Sequence, residues 1–318
     1  LRGAAYVASL SLHSSIEYFT SSSHNTKSTN STEEATYGWS GVQTMEGQNN
    51  AIQMTYGKVK SAGQTIGKYI TVSDNKEYLN WLIACGEGEL TFSNIMVNDN
   101  PYTYYSGIQL QTRPGTNNQD VIPYFNDTYF VKNLGYALNE TPSRVDSCQG
   151  NATQGIIVKV EFSQGLYHYS SEGKVKNAWV ELRCSYKLKS SNTWTVFYEG
   201  RINGKQTTAL RREFRKDGLP QGEYDVRVEV TGRSASINST KNSTKCWWNA
   251  LTSIVYDDFC YPCVGLIGLR ALATDQINGS PSISFIKERK YVWVYNSNTK
   301  QYEQKPANNP AWASYDML

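Results

Sequence analysis

The sequence predicts a mostly β protein of several domains, with only minor helix. Three observations carry this expectation. Tyr, Thr and Val are abundant, with 23 Tyr among 318 residues, and such side chains fit a pleated, half-buried surface. Apolar and polar residues alternate over several segments, which is the period of a strand with one wet face. The length exceeds the roughly 100–200 residues of a single domain. A composition that is 39% hydrophobic, 13% aromatic and 19% charged supplies a core and excludes a disordered chain. The net charge of +3 is too small to imply nucleic-acid or anionic-membrane binding. No apolar run reaches the roughly 18 residues of a membrane-spanning helix.

In order along the chain, Ala4–Leu12 has a strand pattern, and Thr20–Thr36 is a Ser/Thr/Asn tract with too little to bury. The tract reads as a connector, the alternative being an arm laid on a neighbouring subunit. Ala51–Val72 reads as two or three strands divided by glycine. Asp74–Gly86 predicts a helix: Asp74 caps it with Glu77 three residues on, Leu79, Leu82 and Ile83 share a face, and Gly86 stops it. Leu90–Val97 is a strand, Asn98–Pro101 a turn, Tyr102–Thr112 again β, and Arg113–Gln119 a loop.

A domain boundary is expected near residues 146–154, rich in Gly and Asn. Gly155–Phe162 is a strand. Val180, Leu182, Cys184, Tyr186 and Leu188 then alternate with polar residues, as do Trp194, Val196 and Tyr198, and Tyr224, Val226, Val228 and Val230. This spacing fits a small antiparallel sandwich, and the run Gly222–Gly232 looks like a fibronectin type III strand. The longest apolar segment, Trp247–Gln276, is expected to be core. It holds a strand Ser253–Phe259, a turn at Tyr261–Cys263 around Pro262, and a strand Val264–Ala273 buried on both faces, with Gly265 and Gly268 where another backbone approaches. Ser284–Tyr302 resembles a hairpin. Asn309–Leu318 starts a helix, with Asn309 as N-cap and Pro310 in the first position. A first residue Leu1 rather than Met, and a last helix without a stop, lead us to expect a piece of a longer protein.

Six cysteines, at 85, 148, 184, 246, 260 and 263, are too scattered for a disulfide scaffold. Free thiols in a reducing cytoplasm are expected. Cys260-Tyr-Pro-Cys263 offers half a zinc site or a redox pair, but no second CxxC or HxxxH completes a site and a strand follows it, so a structural turn is the better reading. His13, His24 and His168 lie far apart and lack nucleophile partners. Glu87, Glu89, Asp257 and Asp258 offer carboxylates for acid–base work, yet a helix end and a strand account for them. Arg211–Lys216 reads as a solvated hairpin face between sandwich strands rather than a contact for DNA or lipid. The N-x-S/T sites at Asn30, Asn126, Asn139, Asn151, Asn238, Asn242 and Asn278 arise by chance in such a composition. No catalytic, cofactor-binding or metal-ligating residue is assigned, and no cofactor is expected.

Several stretches, taken together and in order, match a known family. They are Tyr78–Leu90 with Ile95–Tyr102, Tyr104–Thr128, Gly200–Thr208, Trp247–Arg270, Asn308–Trp312 and Tyr315–Leu318. In these the chain resembles the central tail tip proteins of lambda-like long-tailed bacteriophages (the host specificity or tip attachment proteins), over roughly three quarters of its length. The resemblance implies a trimeric hub at the end of the tail tube, built from β-barrel-like domains with an inserted fibronectin-like sandwich around the lumen that DNA crosses. It implies 51–150 as a first hub domain, 151–235 as the insert and 236–318 as a truncated second hub domain, with residues 1–50, read from composition, as an N-terminal strand and Ser/Thr/Asn-rich arm before them. Implied partners are two further copies of the chain, other tail tip and tail tube proteins, the tape measure protein, and a host receptor reached through regions beyond Leu318. No specific nucleic-acid binding is implied, and the implied location is the virion tail tip after assembly in the bacterial cytoplasm. Residues 1–50 have no counterpart in the family, and Cys260 and Cys263 replace a differently built turn, so no role passes to them. The rival readings are a secreted adhesin or lectin, and a tail-associated hydrolase using Asp257 or Glu87.

Overall fold

A computed structural model describes residues 37–40, 45–46, 51–139, 143–257 and 259–317. The strand expected at Ala4–Leu12 and the tract Thr20–Thr36 lie outside them. The described residues are mostly strand, and every pairing among them is antiparallel.

Two sheets form the first body. One is five-stranded, in the order Met45–Glu46, Gln64–Ser73, Lys76–Glu87, Val264–Leu272, Ile108–Arg113. The other is four-stranded, in the order Gly57–Ser61, Ile283–Arg289, Leu90–Val97, Asn100–Pro101. They share a core of Leu79, Trp81, Ile83, Cys85, Ile267 and Leu269 from the first sheet and Leu90, Val97, Ile283 and Phe285 from the second. The sheets enclose this core without closing into a barrel. The opposite face of the five-stranded sheet is also covered: Leu82, Ala84, Val264 and Leu266 pack against Ile122 and Phe125.

That double coverage explains the main departure from expectation. Asp74–Gly86 is not a helix but the turn and second strand of a hairpin, with Ser73 paired to Lys76. Asp74 and Asn75 have φ of +48° and +64°, the left-handed pair that a two-residue hairpin turn of type I′ requires and that Asp and Asn tolerate. Leu79, Trp81, Ile83 and Cys85 bury on one face, and Leu82 and Ala84 on the other. A strand apolar on both faces loses its alternation, and the remaining pattern mimics a helical stripe.

Val264–Leu272 is buried on both faces, as expected. It does not pair with the strand before it, however. Trp247–Val255 belongs to another sheet, and Val264–Leu272 is held between Lys76–Glu87 and Ile108–Arg113. Its glycines make room for side chains rather than for backbone: a β carbon on Gly265 would lie 2.8 Å from Leu90, and one on Gly268 2.6 Å from Ile122.

The second body is a sandwich. One sheet runs in the order Leu210–Lys216, Gly155–Phe162, Trp247–Val255, Thr128–Ala137, and the other Thr195–Gly204, Ala178–Leu188, Tyr224–Arg233, Ser143–Ser147. The alternation read from sequence is real, with Val180, Leu182, Cys184, Tyr224, Val226 and Val228 all buried in the shared core beside Phe162 and Trp248. Tyr224 donates its hydroxyl to the Pro220 carbonyl at 2.6 Å, a tyrosine corner of the kind that immunoglobulin-like sandwiches use. Two expectations are corrected here. Arg211–Lys216 is not a hairpin face between strands but the edge strand itself, and Asp257 lies past the end of its strand rather than within it.

Tyr291–Asn296 and Gln301–Pro306 form the C-terminal hairpin, on which the helix Pro310–Met317 rests through Trp312, Val292 and Val294. The Ala311 N–H donates to the Asn309 side chain at 3.0 Å, so the predicted cap is present. Arg289 pairs with Asp316 at 3.0 Å, and Tyr56 donates to the same carboxylate at 3.0 Å.

Asn75→Ala is expected to cost about 2 kcal/mol, from left-handed strain in a residue without a polar side chain and the loss of two side-chain hydrogen bonds to the sandwich. Asn75→Gly, which relieves the strain but not the lost bonds, should cost about half as much. Urea midpoints for the two variants check this, and equal costs would mean that the turn conformation is unimportant.

Candidate functional site: an ionic joint between the two bodies

Among the described residues no group of three or more His, Cys, Asp or Glu side chains is placed to hold a metal ion. What the fold does assemble is a buried ionic joint. The Asp74-Asn75 turn brings the tip of the five-stranded sheet against the sandwich edge strand Leu210–Lys216. Asn75 accepts a hydrogen bond from the Arg211 N–H at 2.7 Å and donates to the Ala209 carbonyl at 3.4 Å.

Beside this turn sits Glu77, only 5% exposed. One carboxylate oxygen accepts the Trp39 N–H at 2.8 Å, and the other takes the Lys159 ammonium at 2.7 Å. Arg211 Nε lies 3.2 Å from that second oxygen and 3.7 Å from Glu161. The Arg211 Nε–H does not point along a hydrogen-bond direction, so Arg211 contributes charge here rather than a bond. Asn249 donates to Glu161. Strand register explains the cluster, because Glu161 faces Arg211 and Lys159 faces Glu213 across the same sandwich pair. Residues 37–40 cover it so closely that a β carbon on Gly38 would lie 2.9 Å from Glu77 Oε2 and 3.0 Å from Arg211 Nη2.

Three carboxylates thus share two cations, and the acidities of Glu77 and Glu213 diverge. Burial alone would raise Glu77, but the charges of Lys159 and Arg211, the Lys159 hydrogen bond and the Trp39 N–H outweigh it and hold the carboxyl below its ordinary range. Glu213 goes the other way. Burial dominates, the opposing pull of Lys159 and the Val72 N–H is weaker, nearby Glu77 repels, and the carboxyl is pushed up to about 7. The Val72 N–H belongs to the edge of the Gln64–Ser73 strand, so Glu213 also ties the sandwich to the sheet.

The Cys260–Cys263 turn is a second ordered feature. The Gln119 amide nitrogen donates to the carbonyls of Cys260, Tyr261 and Val264 at 2.9, 2.7 and 2.9 Å, and its oxygen accepts the Gly115 N–H at 2.9 Å. One side chain stitches two loops together, a role no motif announces. All six cysteines are free; four are buried, Cys260 is half-buried and Cys263 exposed. Burial pushes the Cys85 and Cys246 thiols up to about 12.

The carboxylates considered for acid–base chemistry do not converge. Asp257 lines an open depression with Asn126, Asp127 and Tyr256, where Asp127 accepts from Asn126 at 3.1 Å and from the Asp257 N–H at 3.2 Å. Glu87 and Glu89 are not part of it, and residue 258 lies outside the described residues. His168 is held by Asn242. Of the N-x-S/T sites, Asn126, Asn139 and Asn242 use their side chains in internal hydrogen bonds, and Asn30 lies outside the described residues.

Residues 129–257, which span the sandwich from its first strand to its last, match the family model described as tip attachment protein J, FNIII-A domain. Tip attachment protein J of Escherichia phage SECphi27 is 25% identical over 271 residues, covering 78% of this chain. The chain is similar to phage tip attachment protein J. It spans 22% of the length of that J protein. Among solved structures, infectious bursal disease virus of the Gt strain is 8% identical over 85% of each chain with a TM-score of 0.23. Dimeric latent PorU from Porphyromonas gingivalis is 9% identical over 63% of this chain and 21% of its own, with a TM-score of 0.22. TM-scores this low do not indicate a shared fold.

The joint predicts a pH dependence. Between the ordinary value of 4.5 and about 7, the folded protein keeps a proton on Glu213 that the unfolded chain has released, so stability falls as pH rises through that window. Glu77 acts oppositely, and its contribution is lost only as pH falls below 4.5. Relative to Glu213→Gln, the parent protein should lose about 2 kcal/mol between pH 5 and pH 8. Denaturant titrations of both at the two pH values measure this; parallel pH profiles would remove Glu213 as the cause.

Gln119→Leu is expected to loosen the cysteine turn. Alkylation of Cys260 and Cys263 should quicken several-fold while the four buried thiols stay protected, as read by mass spectrometry of time-quenched samples. Unchanged rates would mean that the turn holds without the amide.

Proposed function

We propose that this chain is a structural, non-enzymatic part of a phage or prophage tail tip. In this reading it is the hub portion that ends the tail tube and supports host attachment and DNA ejection. The observation that carries the proposal is the seating of the sandwich: a module matching the FNIII-A domain of tip attachment protein J is locked to the flanking sheets through a buried ionic joint. Such seating suits a part that must keep its geometry under load rather than swing on a linker. The similarity to the J protein of phage SECphi27 supports a place in the virion tail. Assembly in the bacterial cytoplasm, a homotrimer, contacts with tail tube, tape measure and other tip proteins, and a receptor reached through other parts of the protein complete the proposal. Six free cysteines and internally bonded sequon asparagines speak against a glycosylated, disulfide-linked adhesin.

Immunogold electron microscopy tests the proposal. Antibody against this chain, applied to particles induced from the source bacterium, should place gold at the tail end distal to the head. Label confined to the cell surface, with bare particles, would overturn it.

A further inference from the structure

Arg270 is a cation with no carboxylate partner among the described residues. It belongs to the Val264–Leu272 strand, on the face that carries Leu266 and Gly268 and packs against the 121–127 loop. Its guanidinium carbon stands 4.0 Å from the ring centre of Tyr78 and 4.6 Å from that of Tyr124. Its Nε is buried without a hydrogen-bond partner. Arg289 and Arg211 pair with Asp316 and Glu77, and Arg113, Arg212 and Arg233 donate to backbone carbonyls.

One wall of this cation's surroundings comes from a turn. Tyr124 has φ of +73°, uncommon for a residue with a large side chain. Its carbonyl is pinned by the Tyr69 hydroxyl, and the residue remains 45% exposed. Tyr124 is the third residue of a turn in which Pro123 precedes it and the Phe125 N–H returns to the Ile122 carbonyl at 3.1 Å, a position that takes positive φ, and this turn sets the ring beside Arg270. Gln109, exposed, is the Cα partner of Arg270 on the neighbouring strand, which places an amide at the adjoining position of the same face.

We propose that Arg270, walled by Tyr78 and Tyr124 and flanked by Gln109, is a carboxylate-binding site. Its natural occupant is an acidic side chain or chain terminus of an adjoining protein. A carboxylate is the planar anion that makes paired hydrogen bonds with a guanidinium. The site is distinct from the tail tip reading and holds or fails without it.

The test uses the full chain with 15N-labelled arginine and sodium acetate as the probe. The Nε–H resonance missing from Arg270→Lys assigns Arg270. Acetate should shift it saturably, equal concentrations of chloride should not, and Tyr124→Gly should weaken the acetate response at least about three-fold by removing pre-organisation. Tyr124→Gly keeps the left-handed backbone at no steric cost, so unchanged backbone resonances separate loss of the site from loss of the fold. A shift that follows ionic strength alone, or inorganic phosphate binding more tightly than acetate, would overturn the proposal.

Discussion

The architecture depends on gathering three carboxylates and two cations where two β bodies meet, with Glu77 buried at the centre and the others half-buried around it. Charges removed from water at such a depth are costly unless each finds an opposite partner and hydrogen bonds, and removing one member of a buried set strands the others. Glu77 meets that demand only because a left-handed turn brings its strand to the sandwich edge, because strand register sets Lys159 and Arg211 opposite it, and because Trp39 closes over the top. The joint therefore couples four separate stretches of chain, around Trp39, Glu77, Lys159 and Arg211. None of its members is close in sequence to the residues it satisfies.

The coupling also explains why the local features look as they do. Gly38 is needed because a side chain would collide with the ion cluster. Asn75 serves twice, as a turn residue and as a connector to the sandwich. Glu213 caps an edge N–H of the neighbouring sheet, so the sandwich edge strand is covered rather than left open to other chains. Similar logic holds at the far end, where Arg289 and Tyr56 converge on Asp316 and fasten a short helix that would be marginal alone.

Much of the fold was legible from residue patterns. Alternation located the sandwich strands Ala178–Leu188 and Tyr224–Arg233, and an Asn-Pro pair located the last helix. The misread helix has a plain cause. Lys76–Glu87 is apolar on both faces, so its period vanished and a helix seemed the better match. The same blindness hid the joint: Glu77 passed as a helix-cap partner and Arg211 as solvated charge. Their roles arise from the register of Gly155–Phe162 with Leu210–Lys216 and from the packing of Glu77 on that pair, neither of which a local window contains. Gln119 was hidden for a different reason, since a lone glutamine in a loop has no spacing that marks it as a clamp.

The sandwich has its first strand, Thr128–Ala137, and its last, Trp247–Val255, side by side in one sheet, with Thr128 paired to Val255. The chain therefore enters and leaves the module through neighbouring strands, about 4.8 Å apart. To the sheets that carry it, the whole module is topologically a loop with a narrow neck. A gene can lengthen, exchange or discard such a loop without re-threading the host sheets, and selection on the module can proceed at its own pace. The ion cluster sets the limit on that freedom: a replacement must bring its own cations to Glu77.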